Sequence, residues 1–411
     1  EDYKIVYSQR VQNNAIVKFR NLKQKRKKMK KMIKLSLVAA VAVAGLTTTA
    51  TAGSLEDSIK GTTLKGQVTV GFQNNSYKND GVTRSGHLGD KNQMEYDLDA
   101  TFTTKVNDTI TSTVGFQADN DIVVNTATDG TDNSKADKIT LTKAYFTAKT
   151  SAATVLVGKQ KVGTPFFDDE RGDGLVALVP AGPVTLAVAH FTGINDSETA
   201  DAFTTKDVNA LAVLGKFGPA SVAAWYINAN VADAYSVNVK AKVGPASVEL
   251  NHASAELDAA NSKAETLTKL VASVKAGPAT VVAAYAMTND KDGANATSRT
   301  HGVDLTNDDD AKNNFAGKVI HLDDLDDAKA WLLGASMKVA GATVGAHYIS
   351  ATSDQTTGSN ADATELAVTA KYAMSKNFSI NAYMAKYNEE VASTGATTDN
   401  AQTESDGKSV V

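Results

Sequence analysis

From Leu64 onward, stretches of about ten residues alternate strictly between apolar and charged or polar side chains, and no other feature constrains the fold as tightly. Leu64, Val68, Val70 and Phe72 interleave with Lys65, Gln67 and Thr69. Met94, Tyr96, Leu98, Ala100 and Phe102 interleave with Glu95, Asp97, Asp99 and Thr101. Val237, Val239, Ala241 and Val243 alternate with Ser236, Asn238, Lys240 and Lys242, and Leu366, Val368, Ala370 and Tyr372 with Glu365, Thr369 and Lys371. Period 2 describes a strand with one apolar and one polar face. The polar faces carry too much charge for the inside of a packed sandwich and require water. The apolar faces require an extended apolar medium. Lipid outside and a wet lumen inside satisfies both.

A repeated turn supports this reading. Phe217-Gly-Pro-Ala-Ser-Val222, Val243-Gly-Pro-Ala-Ser-Val248 and Ala276-Gly-Pro-Ala-Thr-Val281 are close copies, with Ala181-Gly-Pro-Val-Thr185 and Ala340-Gly-Ala-Thr-Val344 as degenerate ones. Each joins two strands tightly, because Gly-Pro supplies special backbone angles and ends pairing. Their glycines stand 36, 26, 33 and 64 positions apart, each gap holding one hairpin and one loop, which is too irregular for a solenoid. The other connections are long and polar: Asn74–Asn92, Asn120–Asp137, Lys159–Asp173, Asn195–Thr205, Asp290–Ala328, Ser353–Asp362 and Asn388–Gly407. The expected fold is therefore all-β, an antiparallel transmembrane barrel of about 18 strands with short periplasmic turns and long extracellular loops. Seventeen strands are read as complete between residues 63 and 387. Lys408–Val411 reads as the start of an eighteenth, truncated one, which leaves closure of the barrel open. Aromatic residues near strand ends suggest interfacial girdles: Phe217, Tyr372 and Phe378 beside short turns, and Trp225, Tyr226, Tyr285, Trp331, Tyr348 and Tyr387 toward the long loops.

The net charge of −4 conceals two unlike pieces. Residues 1–52 hold 12 basic and 2 acidic residues, so 53–411 carry −14, which disfavours nucleic-acid binding by the body of the chain. Within the basic piece, Lys30, Lys31 and Lys34 precede the apolar run Leu35–Leu46, and small residues follow at Ala50 and Ala52. This is the pattern of a signal peptide cut between Ala52 and Gly53. The organisation expected is an upstream extension over 1–28, a signal peptide over 29–52 and an outer-membrane barrel over 53–411. The absence of Cys removes disulfides and thiolate chemistry, and suits an exported bacterial envelope protein.

The leader Met32–Ala52, the start Ser54-Leu-Glu-Asp-Ser-Ile-Lys60 and the segment Gly158-Lys-Gln-Lys-Val-Gly-Thr-Pro165, leading to Asp168, Asp169 and Gly172–Leu178, resemble the major outer membrane porins of Campylobacter-type bacteria. The resemblance covers nearly all of 32–411. It implies a homotrimeric general porin whose third long loop folds into the lumen.

Lys159–Asp173 is accordingly the expected pore constriction. It combines the rigid Pro165, the bulky Phe166 and Phe167, and the charges Lys159, Asp168, Asp169, Glu170, Arg171 and Asp173. Pore diameter and charged side chains at a constriction set selectivity. Facing charges on the lumen wall are expected from Glu95, Asp97 and Asp99, and from Lys65, Lys240, Lys242 and Lys371. The net −14 argues for a modest cation preference. No cofactor is expected. Calcium is the one ion considered, at Asp168, Asp169 and Glu170 or at the carboxylates of Asp308–Asp310 and Asp323–Asp327, none of which fits an EF-hand. There is no Walker A, G-x-S-x-G or H-E-x-x-H motif, so no enzyme is expected. The expected function is passive diffusion of small hydrophilic solutes and ions across the outer membrane, with lipid around the barrel. The alternative is a surface adhesin or structural envelope protein without pore activity.

Overall fold

The structure is a computed structural model that describes residues 61–78, 91–124, 138–167, 170–195, 207–229, 232–258, 264–289, 315, 317–318, 320, 322, 327–353, 360–393 and 396–410. The expected signal peptide, its Ala52–Gly53 junction and the upstream extension lie outside these residues.

Among the described residues, eighteen strands follow one another along the chain. They are β1 (Thr63–Lys78), β2 (Lys91–Lys105), β3 (Ile110–Val124), β4 (Lys138–Lys149), β5 (Thr154–Lys161), β6 (Arg171–Ala181), β7 (Val184–Asn195), β8 (Val208–Phe217) and β9 (Ala220–Ala229) in the first half. The second half comprises β10 (Ala232–Val243), β11 (Ala246–Leu257), β12 (Glu265–Ala276), β13 (Ala279–Thr288), β14 (Ala328–Val339), β15 (Ala342–Ser353), β16 (Asn360–Ser375), β17 (Phe378–Ser393) and β18 (Ala396–Val410). Each pairs antiparallel with its sequence neighbours, and β1 pairs with both β2 and β18, so the sheet closes on itself. Closure removes every edge, which is the condition for crossing a membrane with strands.

The repeated Gly-Pro segments are two-residue hairpin turns. Gly182, Gly218, Gly244 and Gly277 hold φ between 58° and 62° with Pro following, the pattern of a type II′ turn. In the degenerate copy both Ala340 and Gly341 have positive φ (48° and 85°), as a type I′ turn requires.

Alternation sorts the two faces as expected. Leu64, Val68, Phe102, Phe146, Val243, Leu270, Leu333 and Val368 are large apolar residues left exposed on the outer face. The other face holds the buried cluster and faces the lumen. Of the expected girdle, Phe217, Tyr372, Phe378, Tyr226, Tyr285, Trp331 and Tyr348 are exposed on the outside. Trp225 and Tyr387 are not part of it. Trp225 stands opposite Ala212 and Ser236, and Tyr387 opposite Glu365, so both fall on the lumen side.

Two further expectations are corrected. Asn388–Gly407 is not a long loop: β17 runs to Ser393 and only residues 394–395 separate it from β18. The last strand starts at Ala396 rather than Lys408, and its register with β1, from Val70↔Val410 to Lys78↔Gln402, closes the ring. The sequence of β18 has no apolar alternation, so this pairing is made by backbone groups offered on both sides of the gap. The connections at the long-loop end are also uneven, with residues 230–231 alone joining β9 to β10.

Candidate functional site: a constricted lumen

At eight residues, β5 is the shortest strand, so the chain leaves the wall partway up and re-enters at Arg171. The intervening loop turns inward. Val162 N–H donates to Glu170 C=O at 2.9 Å, closing its neck. Phe166 and Phe167 are 1% and 4% exposed and pack in one cluster with lumen-side residues of β7 to β12. Burying two such rings contributes roughly 1.5–3 kcal/mol each. An external loop would forgo that. The wall is shaped to receive them: a Cβ on Gly172 or Gly174 would strike the Phe191 ring or neighbouring backbone, so the bare glycines let Phe191 lie against β6 beneath the loop.

The expected constriction residues divide. Pro165, Phe166, Phe167 and Glu170 are buried in the inward loop. Arg171 reaches β3, where its Nη2 donates to Gln117 Oε1 at 2.8 Å; Gln117 is the ladder partner of Asp99. The guanidinium is thus brought beside the acidic wall although β6 and β3 are three strands apart in the ring. Lys159 and Asp173 are cross-strand partners at the root of the loop. Asp173 alternates with Gly172 and Gly174, whose Cβ positions meet the Phe191 ring, so it and its partner Lys159 stand on the opposite side of the ladder from that ring. Asp168 and Asp169 lie outside the described residues. Among the described residues no group of three or more His, Asp or Glu is placed to hold a metal ion, and Asp308–Asp310 and residues 323–326 of the second carboxylate run are not described.

The expected wall charges stand at ladder positions that alternate with the apolar residues of their strands. Lys65 stands opposite Thr101, Asp99 opposite Gln67, Asp97 opposite Thr69 and Glu95 opposite Gly71. On the other side of β2, Glu95 faces Asp121 and Asp97 faces Asp119, two acidic positions that read as loop or strand end in the sequence. The register thus brings acidic positions of β2 and β3 together as an acid-rich stretch of the ladder. Lys143 Nζ donates to Thr101 Oγ1 at 3.1 Å at its lower border. Lys240 and Lys242 lie half-way round the ring from β2, near the short-turn end. Lys240 pairs with Glu249 at 3.0 Å, and Asn238 donates to both Glu249 (2.7 Å) and Asn251 (3.2 Å). Lys371 stands opposite Thr343 and Asn381.

A second inward segment escaped the sequence reading. Phe315, Ile320 and Leu322 belong to the 39-residue stretch Asp290–Ala328 read as an external loop, yet all three are buried in the same lumen cluster. Gly317 N–H donates to Ile320 C=O (2.7 Å) and Leu322 N–H to Phe315 C=O (3.1 Å), forming a tight turn. The turn is fastened to Glu365 on β16, which is 0% exposed. Its carboxylate accepts from Lys318 N–H (2.7 Å), Ile320 N–H (2.9 Å) and His347 Nε2 (2.7 Å). A Cβ on Gly317 would collide with this carboxylate. The Lys318 ammonium sits 5.1 Å from the Tyr383 ring centroid, within cation–π range. The lumen is therefore narrowed by two packed segments on its β7–β16 side, beside an acid-rich β2–β3 wall.

A family described as Gram-negative porin matches residues 36–392. No curated protein matches the chain. Among solved structures, OccAB1 of Acinetobacter baumannii superposes with a TM-score of 0.63 at 12% identity, covering 84% of this chain and 96% of its own. OpdO of Pseudomonas aeruginosa gives 0.61 at 13% identity, with coverages of 87% and 97%. OpdK of the same organism, solved with vanillate, gives 0.60 at 12% identity, with coverages of 87% and 99%. Such identities speak for the barrel fold. With the family match over most of its length, the chain belongs to the Gram-negative porins of the outer membrane.

Proposed function

We propose that this porin is a general diffusion channel for small hydrophilic solutes and ions, modestly cation-preferring, working as a homotrimer after export by a cleaved signal peptide over 29–52. The observation that carries the reading is the acid-rich β2–β3 wall standing beside the two inward segments. At a narrow passage with low-dielectric walls, fixed carboxylates focus the potential and raise the local cation concentration. The resemblance to Campylobacter-type porins supports the trimer and the inward third loop. Vanillate, held by the solved OpdK structure, is an anion; the carboxylates here favour the opposite charge. The reading includes neither catalysis nor a cofactor, and a calcium ion at Asp168, Asp169 and Glu170 would stiffen the loop without doing chemistry.

Planar-bilayer recording tests this. Stepwise conductance with a reversal potential favouring cations is the expected result. Protein that gives no steps sinks the pore reading and restores the adhesin alternative; an anion-favouring potential overturns the preference. The pair Asp168→Asn with Asp169→Asn is expected to weaken the preference if those residues line the eyelet.

A further inference from the structure

The repeated turn carries more than its Gly-Pro. Two residues before each glycine stands a lysine in Lys216-Phe-Gly, Lys242-Val-Gly and Lys275-Ala-Gly, and two before Ala340 stands Lys338. The strand registers give all four one environment. Lys216 is opposite Ser221, Lys242 opposite Ser247, Lys275 opposite Thr280 and Lys338 opposite Thr343, always one residue from the strand end and always on the lumen-side face. In three of them the lysine N–H donates to the proline carbonyl of the preceding turn: Lys216 to Pro183 (3.1 Å), Lys242 to Pro219 (3.0 Å) and Lys275 to Pro245 (3.2 Å). Each hairpin thereby fixes the lysine of the next.

The series continues around the rim. Lys371 stands on the lumen-side face of β16 and Lys65 on that of β1. Lys105 and Lys149 end β2 and β4 opposite Thr111 and Thr154. The β6–β7 turn breaks it, with Pro180-Ala181 at the corresponding place, and β16 carries its lysine four residues from its end rather than one. All these lysines are exposed. The one acidic residue in the described short turns is Asp108, which Lys105 holds at 2.7 Å. The short-turn mouth therefore carries a nearly unbroken ring of inward ammonium groups, each with a hydroxyl beside it. It lies at a different height from the carboxylate wall, which sits in the middle of β2.

We infer that this rim is a periplasmic anion-binding collar, taking multivalent phosphate-bearing small solutes as they meet the inner mouth of the pore. Lysine is a compact charge with three donors and suits phosphate, and a neighbouring hydroxyl adds a neutral donor. Ligands carrying several phosphates engage several hairpins at once, so affinity rises through effective concentration rather than through any single contact. Because the acidic stage and the basic collar are separated along the axis, the response is one-sided.

The inference rests on the channel reading, and the test separates the two. Channels are recorded singly in a bilayer at low salt, and tripolyphosphate is added to each side in turn. Orientation is read from a Pro245→Cys version, whose turn an impermeant charged thiol reagent reaches from one side of a chain that has no other cysteine. Tripolyphosphate is expected to interrupt the current from the short-turn side at concentrations at least about tenfold lower than from the loop side. The combined Lys216→Gln, Lys275→Gln and Lys338→Gln variant is expected to keep its open channel and lose most of that difference; the Lys216→Gln, Lys275→Gln pair alone loses part of it. Equal potency from both sides in the parent, or an asymmetry that survives the three substitutions undiminished, overturns the collar while leaving the pore. A parent that never conducts overturns both.

Discussion

Arg171 and Asp99 show how one contact can set an electrical property. The guanidinium donates to Gln117, the ladder neighbour of Asp99, so a fixed positive charge is held against the acidic wall. Replacing Arg171 with Gln removes that charge without removing bulk, and the cation-to-anion permeability ratio is expected to rise about twofold. Asp97→Asn with Asp99→Asn is expected to lower it by a similar factor. Reversal potentials in a salt gradient read both, and a shift in the same direction for the two variants would contradict the arrangement. At the rim, hydrogen bonding to Lys105 and the charge of that ammonium hold the exposed Asp108 carboxyl below its usual range. The pair is therefore fully formed above the ordinary carboxylate pKa and is lost as pH falls through the lowered one. Being fully exposed, it leaves the folding of the barrel unaffected.

Among the elements, the inward turn at Phe315–Leu322 depends on Glu365, one buried carboxylate accepting from two backbone amides and an imidazole. Glu365→Ala leaves those donors without their acceptor, and the segment is expected to leave the lumen. Single-channel conductance should rise at least about 1.5-fold and larger sugars should enter in liposome-swelling assays. Gly317→Ala, which changes no strand, should move conductance the same way because its Cβ has no room beside the carboxylate. Unchanged conductance in both would show that the turn is held by other means. Seventeen strands were legible from alternation because each divides its side chains between lipid and water. The eighteenth was not: Thr397-Thr398-Asp399-Asn400 and the residues after it offer no apolar face, and only the open edges of β1 and β17 recruit them. The extensions of β1 and β3, Asn74–Lys78 and Asn120–Val124, were missed because neither alternates: Asn74-Asn-Ser-Tyr-Lys78 is almost wholly polar, and Ile122-Val-Val124 is a short apolar run after two polar residues. The inward loop was legible from its paired Phe, which demand burial. The Glu365 fastening was not, because its partners lie 45 and 47 residues away and nothing local marks them.

Taken whole, the barrel is a closed ring with charge sorted by height and by side. Cation preference arising from the wall should fade with salt. The screening length falls from about 10 Å at 0.1 M to about 3 Å at 1 M, so the permeability ratio is expected to approach that of free diffusion at high ionic strength. A preference independent of salt would point instead to direct ion coordination in the eyelet. The repeated hairpin has one more consequence. Two strand spacings, inclined as barrel strands are, occupy about 12 Å of circumference. Each such hairpin brings one lysine to the rim, so a pore enlarged by another hairpin gains perimeter and charge together and its linear charge density stays fixed. That interval is close to the screening length at about 0.1 M. Neighbouring ammonium groups are thus far enough apart to tolerate one another, yet near enough for their fields to merge into a continuous band.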